Sequence, residues 1–213
     1  MQLYLSSYKL GNKQDELKKW IKKNGNKIIL IPNARDIFEE SERKRRGINS
    51  DIEMLEQVGF DVKLVSLTDY FGNYDKLKTD FEQYRAFFSI GGNAFALRKA
   101  MQLSGFDKFL TELSDRDDYL YGGYSAGICV LAKKLQGLNL VDEPINPYNT
   151  EEVLYEGIGL LDYLPIPHYK SDHSESKLVE DVINYCKQNS VKYRTLSDGD
   201  VMLESTTDLE LDR

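Results

Sequence analysis

Residues 119–132 read Tyr119-Leu120-Tyr121-Gly122-Gly123-Tyr124-Ser125-Ala126-Gly127-Ile128-Cys129-Val130-Leu131-Ala132. This order is typical of an apolar strand, a turn of small residues around one serine, and an apolar helix. The spacing Gly123-x-Ser125-x-Gly127 is that of a nucleophile elbow. A serine on so tight a turn takes a strained backbone and needs neighbours without bulk, which the two glycines supply. The pattern therefore predicts a hydroxyl raised above a sheet, with the following amide N–H groups facing whatever it attacks. The alternative is a glycine-rich turn whose serine has no chemical role.

The chain around this stretch alternates strand and helix patterns. The run Lys27 to Pro32 is continuously apolar, as in a strand buried on both faces. Further strands are expected at Leu3 to Ser6, Val62 to Leu67 and Tyr84 to Ile90, with helical stretches between them. Such alternation indicates an α/β fold, a mainly parallel sheet with helices on both faces. We expect residues 1–213 to form one domain.

The C-terminal third has a looser pattern. Residues 138–155 are polar and turn-rich, which is typical of a long loop beside an active site. A helix is expected over 176–187, and strands are expected near 193–196 and 201–203. Asp198-Gly199 between these strands is a hairpin signal.

Composition excludes several classes of function. The formal net charge of −7 argues against a general affinity for nucleic acid or an anionic membrane. The first residues are too polar for a signal peptide and no run approaches membrane-spanning length, so we expect a cytoplasmic protein. Cys129 and Cys186 lie far apart in apolar helical patterns, and we expect both to be reduced packing residues.

A serine nucleophile needs a base, and the chain offers only His168 and His173. His168 follows Leu164-Pro165-Ile166-Pro167, whose prolines hold the backbone extended. A strand ending there would place His168 at the same sheet edge as Ser125, so His168 is the candidate base, with a structural core histidine as the alternative. His173 lies in a polar stretch and is expected to face solvent.

Two further parts of a serine site have candidates. Asp142 and Glu143, in the loop between serine and histidine, are candidates for the carboxylate that orients the imidazole, although most acidic residues simply face solvent. An oxyanion hole could use the amide of Ala126 together with the Gly91-Gly92-Asn93 turn. The same turn could also be an ordinary strand-to-helix connection with Asn93 as the helix N-cap, and both interpretations can hold together.

Taken together, Gly-Gly-Asn at 91–93, Gly-x-Ser-Ala-Gly at 123–127, Asp-x-Pro at 142–144 and Pro-His-Tyr at 167–169 resemble peptidase family S51, which includes aspartyl dipeptidase (peptidase E) and cyanophycinase. The resemblance runs from Ile29 to about Val201. It implies a three-layer α/β/α sandwich similar to the class I glutamine amidotransferase domain, a flavodoxin-like fold. It also implies Ser125 as nucleophile, His168 as base, Asp142 as the acid with Glu143 as competitor, and an oxyanion hole from the amides of Gly92 and Ala126.

The resemblance is incomplete where it concerns specificity. Ile90 stands where many relatives have a further glycine, and the stretch Asp172-His173-Ser174-Glu175-Ser176 lacks the arginine of aspartyl-specific members. We expect a serine peptidase that acts on short peptides or small amides through an acyl-enzyme, without a metal or organic cofactor. An esterase or amidase using the same residues, or an idle member that binds a small ligand, are the alternatives. The pattern leaves the oligomeric state open.

Overall fold

The computed structural model describes residues 1–150 and 152–207. Its strands are β1 (Gln2–Ser6), β2 (Lys27–Ile31), β3 (Asp61–Leu64), β4 (Ala86–Ser89), β5 (Leu120–Tyr124), β6 (Leu164–Ile166), β7 (Tyr193–Thr195) and β8 (Val201–Ser205). Its α-helices are α1 (Gln14–Asn24), α2 (Glu42–Val58), α3 (Tyr74–Phe81), α4 (Ala94–Ser104), α5 (Phe106–Glu112), α6 (Ala126–Cys129) and α7 (Ser176–Gln188).

Six strands form the central sheet in the order β3-β2-β4-β5-β1-β8. All neighbours pair in parallel except β8, which runs antiparallel to β1 at the edge. Parallel strands direct their carboxyl ends to one edge of the sheet, where ligands bind in open α/β folds. The end of β5, which leads into Ser125, lies at that edge.

Alternating side chains of the buried strands supply two separate cores. In β2, Ile28 and Leu30 pack with α1 and α2, whereas Ile29 and Ile31 pack with α4 on the opposite face. The strand period of two residues places consecutive apolar side chains on opposite faces, so a wholly apolar strand requires cover on both. The predicted α/β sandwich with a mainly parallel sheet is therefore confirmed.

The expected hairpin at Asp198-Gly199 is wrong. A tight turn is present, with Asp200 N–H donating to the Ser197 carbonyl at 2.9 Å. Its flanking strands, however, join different sheets: β7 pairs in parallel with β6, and β8 pairs with β1. The prediction that the strand before His168 belongs to the sheet of Ser125 is also wrong, because β6 and β7 form a separate two-stranded sheet.

Glycines allow the turn at Ser125 to pack closely against β4. A Cβ added at Gly127 would lie 2.2 Å from the Ser89 carbonyl oxygen, and one at Gly123 would lie 2.9 Å from the same atom. Both contacts are with backbone, which cannot move aside as a flexible side chain can. The elbow therefore requires glycine at both positions for space. Within the described ranges, no helix has the length and apolar character needed to cross a membrane.

Gly127→Ala should lower the free energy of unfolding by about 3 kcal/mol, the upper end of the range for overpacking, because the new methyl group collides with the β4 backbone. Gly72→Ala is the control: Gly72 has φ +71° but open space around it, so only backbone strain of about 1 kcal/mol is expected. Urea unfolding of both variants measures the difference. Equal losses would contradict the packing argument.

Candidate active site

Ser125 occupies the strained junction between β5 and α6. Its backbone has φ 50° and ψ −119°, a left-handed conformation that is uncommon for a residue with a side chain. Its N–H donates to the Ser7 carbonyl at 3.2 Å, which ties the turn to the end of β1. This is the backbone that the elbow pattern predicts, and such strain is found most often at functional positions.

A cleft of about 850 Å³ lies over this turn. Ser125, His168 and the Gly91-Gly92-Asn93 turn all line it, so the structure brings these candidates together. A Cβ added at Gly91 would lie only 3.1 Å from the Ser125 Cβ. Across residues 1–150 and 152–207, no hydrogen bond joins the Ser125 hydroxyl to the His168 ring. Catalytic contacts in ligand-free sites are commonly longer than in substrate complexes.

His168 is buried and held by Asp198. Its Nδ1 lies 2.8 Å from Asp198 Oδ1, and its backbone has φ 61°. Because an ionised carboxylate only accepts hydrogen bonds, this contact places the imidazole proton on Nδ1 and leaves the lone pair on Nε2. Burial lowers the pKa of His168, the neighbouring His173 lowers it further, and Asp198 opposes both. The ring is therefore neutral near pH 7, the form in which it accepts a proton.

Ser7, directly after β1, connects the three segments of the site. Its hydroxyl accepts the His168 backbone N–H at 2.8 Å and donates to Asp198 Oδ1 at 2.8 Å, while its carbonyl holds Ser125. The side chain is fully buried. One residue thus fixes the positions of Ser125, His168 and Asp198 relative to one another.

The two acids expected beside His168 are engaged elsewhere. Asp142 Oδ2 accepts the Ala94 N–H at 2.8 Å, at the first turn of α4. Glu143 is exposed and contributes its backbone carbonyl, which accepts from the Asn93 side-chain amide at 2.8 Å. The sequence predicts that one of these two carboxylates contacts the His168 ring, but the ring contacts Asp198 instead. Burial raises the pKa of Asp142 to about 7, against the lowering effect of the Ala94 N–H.

The two backbone N–H groups that the sequence suggests as oxyanion donors are those of Gly92 and Ala126. Among the hydrogen bonds of the described residues, neither the Gly92 nor the Ala126 N–H donates to a protein atom. Ala126 is the first residue of α6, where helical N–H groups have no partner within the helix. Asn93 caps α4 by accepting the Ala96 N–H at 2.9 Å, so its expected N-cap role is observed.

Arg35 fixes the direction of the Gly92 N–H. Its Nε donates to the Gly91 carbonyl at 3.3 Å, and its Nη2 contacts Tyr124 Oη and Asp51 Oδ2, each at 2.8 Å. The carboxylate of Asp51 is fully buried. Because the peptide unit is planar, holding the Gly91 carbonyl sets the opposite direction for the Gly92 N–H. Gly92 itself has φ 153°, and a Cβ there would lie 2.3 Å from the Ala34 carbonyl oxygen.

His173 does not simply face solvent, as its polar surroundings in sequence suggest. Its ring is half-buried and stacks on His168, with centroids 3.8 Å apart and planes 11° apart. Tyr8 packs against both rings, with centroids 6.2 Å from His168 and 6.1 Å from His173. Both histidines of the chain therefore lie in the cleft.

Sequence reasoning missed Ser7 and Asp198. Ser7 carries no motif, since it is one of many serines that follow strands. Asp198 stands in an Asp-Gly turn, which by itself indicates only chain reversal. The sheet topology offers one signal for Asp198. If the last strand pairs antiparallel with β1, it begins at the edge where β1 ends, so the residues just before it lie at that edge.

A model of peptidase family S51 matches residues 4–206. The chain is also similar to a crystal structure of a protein from Listeria monocytogenes EGD-e provisionally designated peptidase E, with 18% identity, a TM-score of 0.74, and coverage of 96% of this chain and 98% of that one. A peptidase from an acI-B1 Actinobacterium has 15% identity and a TM-score of 0.65, covering 96% of this chain and 83% of that one. At these identities the structural likeness supports the fold alone. No match was found among curated proteins.

Asp142→Asn should stabilise the protein more at pH 8 than at pH 5. The folded pKa of about 7 exceeds the ordinary 3.8, so the folded state holds this proton while the unfolded state releases it. The free energy of unfolding therefore falls as pH rises from about 4 to 7, and asparagine removes that fall. At about 1.4 kcal/mol per pKa unit, over the roughly two units between pH 5 and the folded pKa, the advantage of the variant should grow by about 3 kcal/mol between pH 5 and pH 8.

Urea unfolding at the two pH values measures this growth. Glu143→Gln, at the exposed neighbouring carboxyl, is the control that separates burial from a general change of charge. An advantage of Asp142→Asn that stays constant with pH would contradict the inference that folding raises the pKa of Asp142.

Proposed function

The chain belongs to peptidase family S51, and on that premise we propose that it is a serine peptidase that hydrolyses short peptides. Ser125 is the nucleophile, His168 the general base, and Asp198 the acid that orients it. The amides of Gly92 and Ala126 form the oxyanion hole. Family membership supports a peptidase, and the serine mechanism is our inference from the arrangement of these groups.

The observation that carries the proposal is the contact between His168 Nδ1 and Asp198 Oδ1 at 2.8 Å, in the cleft that contains a strained Ser125. A carboxylate on Nδ1 serves catalysis in two ways: it selects the tautomer whose Nε2 accepts a proton, and it stabilises the imidazolium that follows. A histidine with only a structural role needs neither effect at the edge of a cleft.

In the first half of the reaction, Ser125 Oγ attacks the scissile carbonyl while His168 Nε2 takes the hydroxyl proton. The carbonyl oxygen becomes an oxyanion and is stabilised by the N–H groups of Gly92 and Ala126. Collapse of the tetrahedral intermediate breaks the C–N bond, and the imidazolium gives its proton to the leaving amine.

In the second half, water attacks the acyl-enzyme. His168 accepts a proton from the water, and the ester bond to Ser125 breaks as the serine oxygen takes that proton back. Half-buried Asp142 lies close to the start of α4, next to the Gly91-Gly92-Asn93 turn, and we assign it to holding that turn rather than to the imidazole.

The cleft suits a small zwitterionic substrate. It is lined by cationic side chains, among them Lys9 and Arg43, and by anionic ones, among them Glu39 and Glu175. A short peptide with free termini carries one charge of each sign, so both ends can find a partner. The volume of about 850 Å³ is within the range of ordinary small-ligand clefts.

A fluorophosphonate probe should label the intact protein at Ser125. Ser125→Ala should abolish labelling and His168→Ala should slow it by at least about 100-fold, because the base contribution is of that order. Ser174→Ala, at an exposed serine beside the cleft, should label like the wild type. Labelled protein is quantified by intact mass spectrometry.

Undiminished labelling of Ser125→Ala would overturn the nucleophile assignment. Absence of labelling in the intact protein would favour the idle, ligand-binding alternative. A dipeptide library scored by mass spectrometry, beside a set of simple esters, then separates a peptidase from an esterase and reports the preferred residues.

Asp198→Asn should lower kcat by at least about 100-fold with a small effect on KM, because an amide on Nδ1 can favour the tautomer that blocks proton acceptance at Nε2. Asp142→Asn and Glu143→Gln should each lower kcat less than about tenfold, since neither contacts the ring. Steady-state kinetics on the best library dipeptide measures all three. A larger loss in Asp142→Asn than in Asp198→Asn would return the acid role to Asp142.

A further inference from the structure

A second cluster of chemically active side chains lies beside the proposed serine site. His168, His173 and Glu175 each present one ligand atom, and these atoms lie within 4.8 Å of one another. His168 is buried, and the other two are half-buried. We propose that these three residues form a Zn²⁺ site in the cleft, and that the bound ion switches the serine site off.

The donor set suits zinc. Imidazole nitrogen and carboxylate oxygen are common Zn²⁺ ligands, and three protein ligands with a water molecule complete a tetrahedron. Ligating histidines usually donate their second ring N–H to a carboxylate, which fixes the ring and raises its basicity. Asp198 already occupies this position at 2.8 Å from His168 Nδ1. His168 therefore has the supporting contact that a zinc ligand needs.

Binding requires a local rearrangement of His173. Tetrahedral zinc with bonds of 2.0–2.1 Å sets ligand atoms about 3.3 Å apart, so the cluster must contract by about 1.5 Å at most. The two rings are nearly parallel, so their nitrogen lone pairs lie in two nearly parallel planes, and His173 must turn for both rings to reach one ion. The hydrogen bond that this turn strains is a long one, 3.3 Å from the Glu175 N–H to His173 Nδ1.

The consequence for activity rests on the proposed function, whereas the metal site does not. A zinc ion on His168 Nε2 occupies the lone pair that would take the Ser125 proton. The serine then has no base, and the ion also stands in the cleft where substrate would enter. Added zinc should therefore inhibit, and a chelator should restore activity fully.

Isothermal titration calorimetry of the intact chain with ZnCl₂, after EDTA treatment and its removal, tests the site directly. We expect one ion per chain, with affinity reduced at least about tenfold in both His173→Asn and Glu175→Gln, since loss of a ligand should cost no less than loss of a supporting contact. Glu180→Gln, at an exposed carboxyl on α7, is the matched control and should bind as the wild type does. Ser125→Ala should also retain binding, because its hydroxyl is not a ligand.

No binding in the wild type, or equal affinity in all four variants, would overturn the proposal. Fluorophosphonate labelling of the wild type and of His173→Asn supplies the second readout, each protein being compared with its own metal-free rate. Zinc should slow labelling of the wild type at least tenfold more strongly than that of His173→Asn, and equal slowing would overturn the inhibitory role. If the wild type does not label even without zinc, the proposed function fails, while calorimetry still decides the metal site.

Discussion

The Ser7 hydroxyl group is the point on which the site depends. It accepts from His168 N–H and donates to Asp198, and the carbonyl of the same residue holds Ser125. Each of these residues lies on a different segment, far apart in sequence. Without a shared partner, their relative positions would depend on loop packing alone. Because Ser7 directly follows β1 and is fully buried, it fixes the positions of the site residues relative to the rigid central sheet.

Sheet topology explains why the carboxylate beside His168 comes late in the chain. The parallel strands β1 and β5 end at the same edge, which places Ser7 beside Ser125. The antiparallel strand β8 begins at that edge, with Ser6 opposite Val201, so the turn just before it lies over the end of β1. A parallel strand in that place would bring its own end there instead. The antiparallel direction of β8 thus places Asp198 beside His168.

The sequence predicts the features that depend on a few neighbouring residues better than those that depend on distant contacts. The elbow at Ser125 and the Gly91-Gly92-Asn93 turn depend on backbone sterics within a few residues, and a sequence pattern captures such requirements well. His168 can be identified from the sequence because the chain has only two histidines. Asp198 cannot be identified in this way, because its role depends on which sheets the strands on either side of it join. The Asp-Gly pattern predicts the turn correctly and says nothing about the partners of those strands.

Two residues of the site have strained backbones, and contacts with Ser7 hold both of them. Ser125 and His168 both have positive φ values, at a cost of about 1–3 kcal/mol each. Glycine would relieve that cost at either position but would remove the reactive group. The N–H groups of both residues donate to Ser7, so one partner holds two unfavourable conformations at once. The hydroxyl that holds His168 also orders Asp198, whereas the backbone carbonyl of the same residue holds Ser125, so loss of the hydroxyl alone would release His168 and Asp198 together.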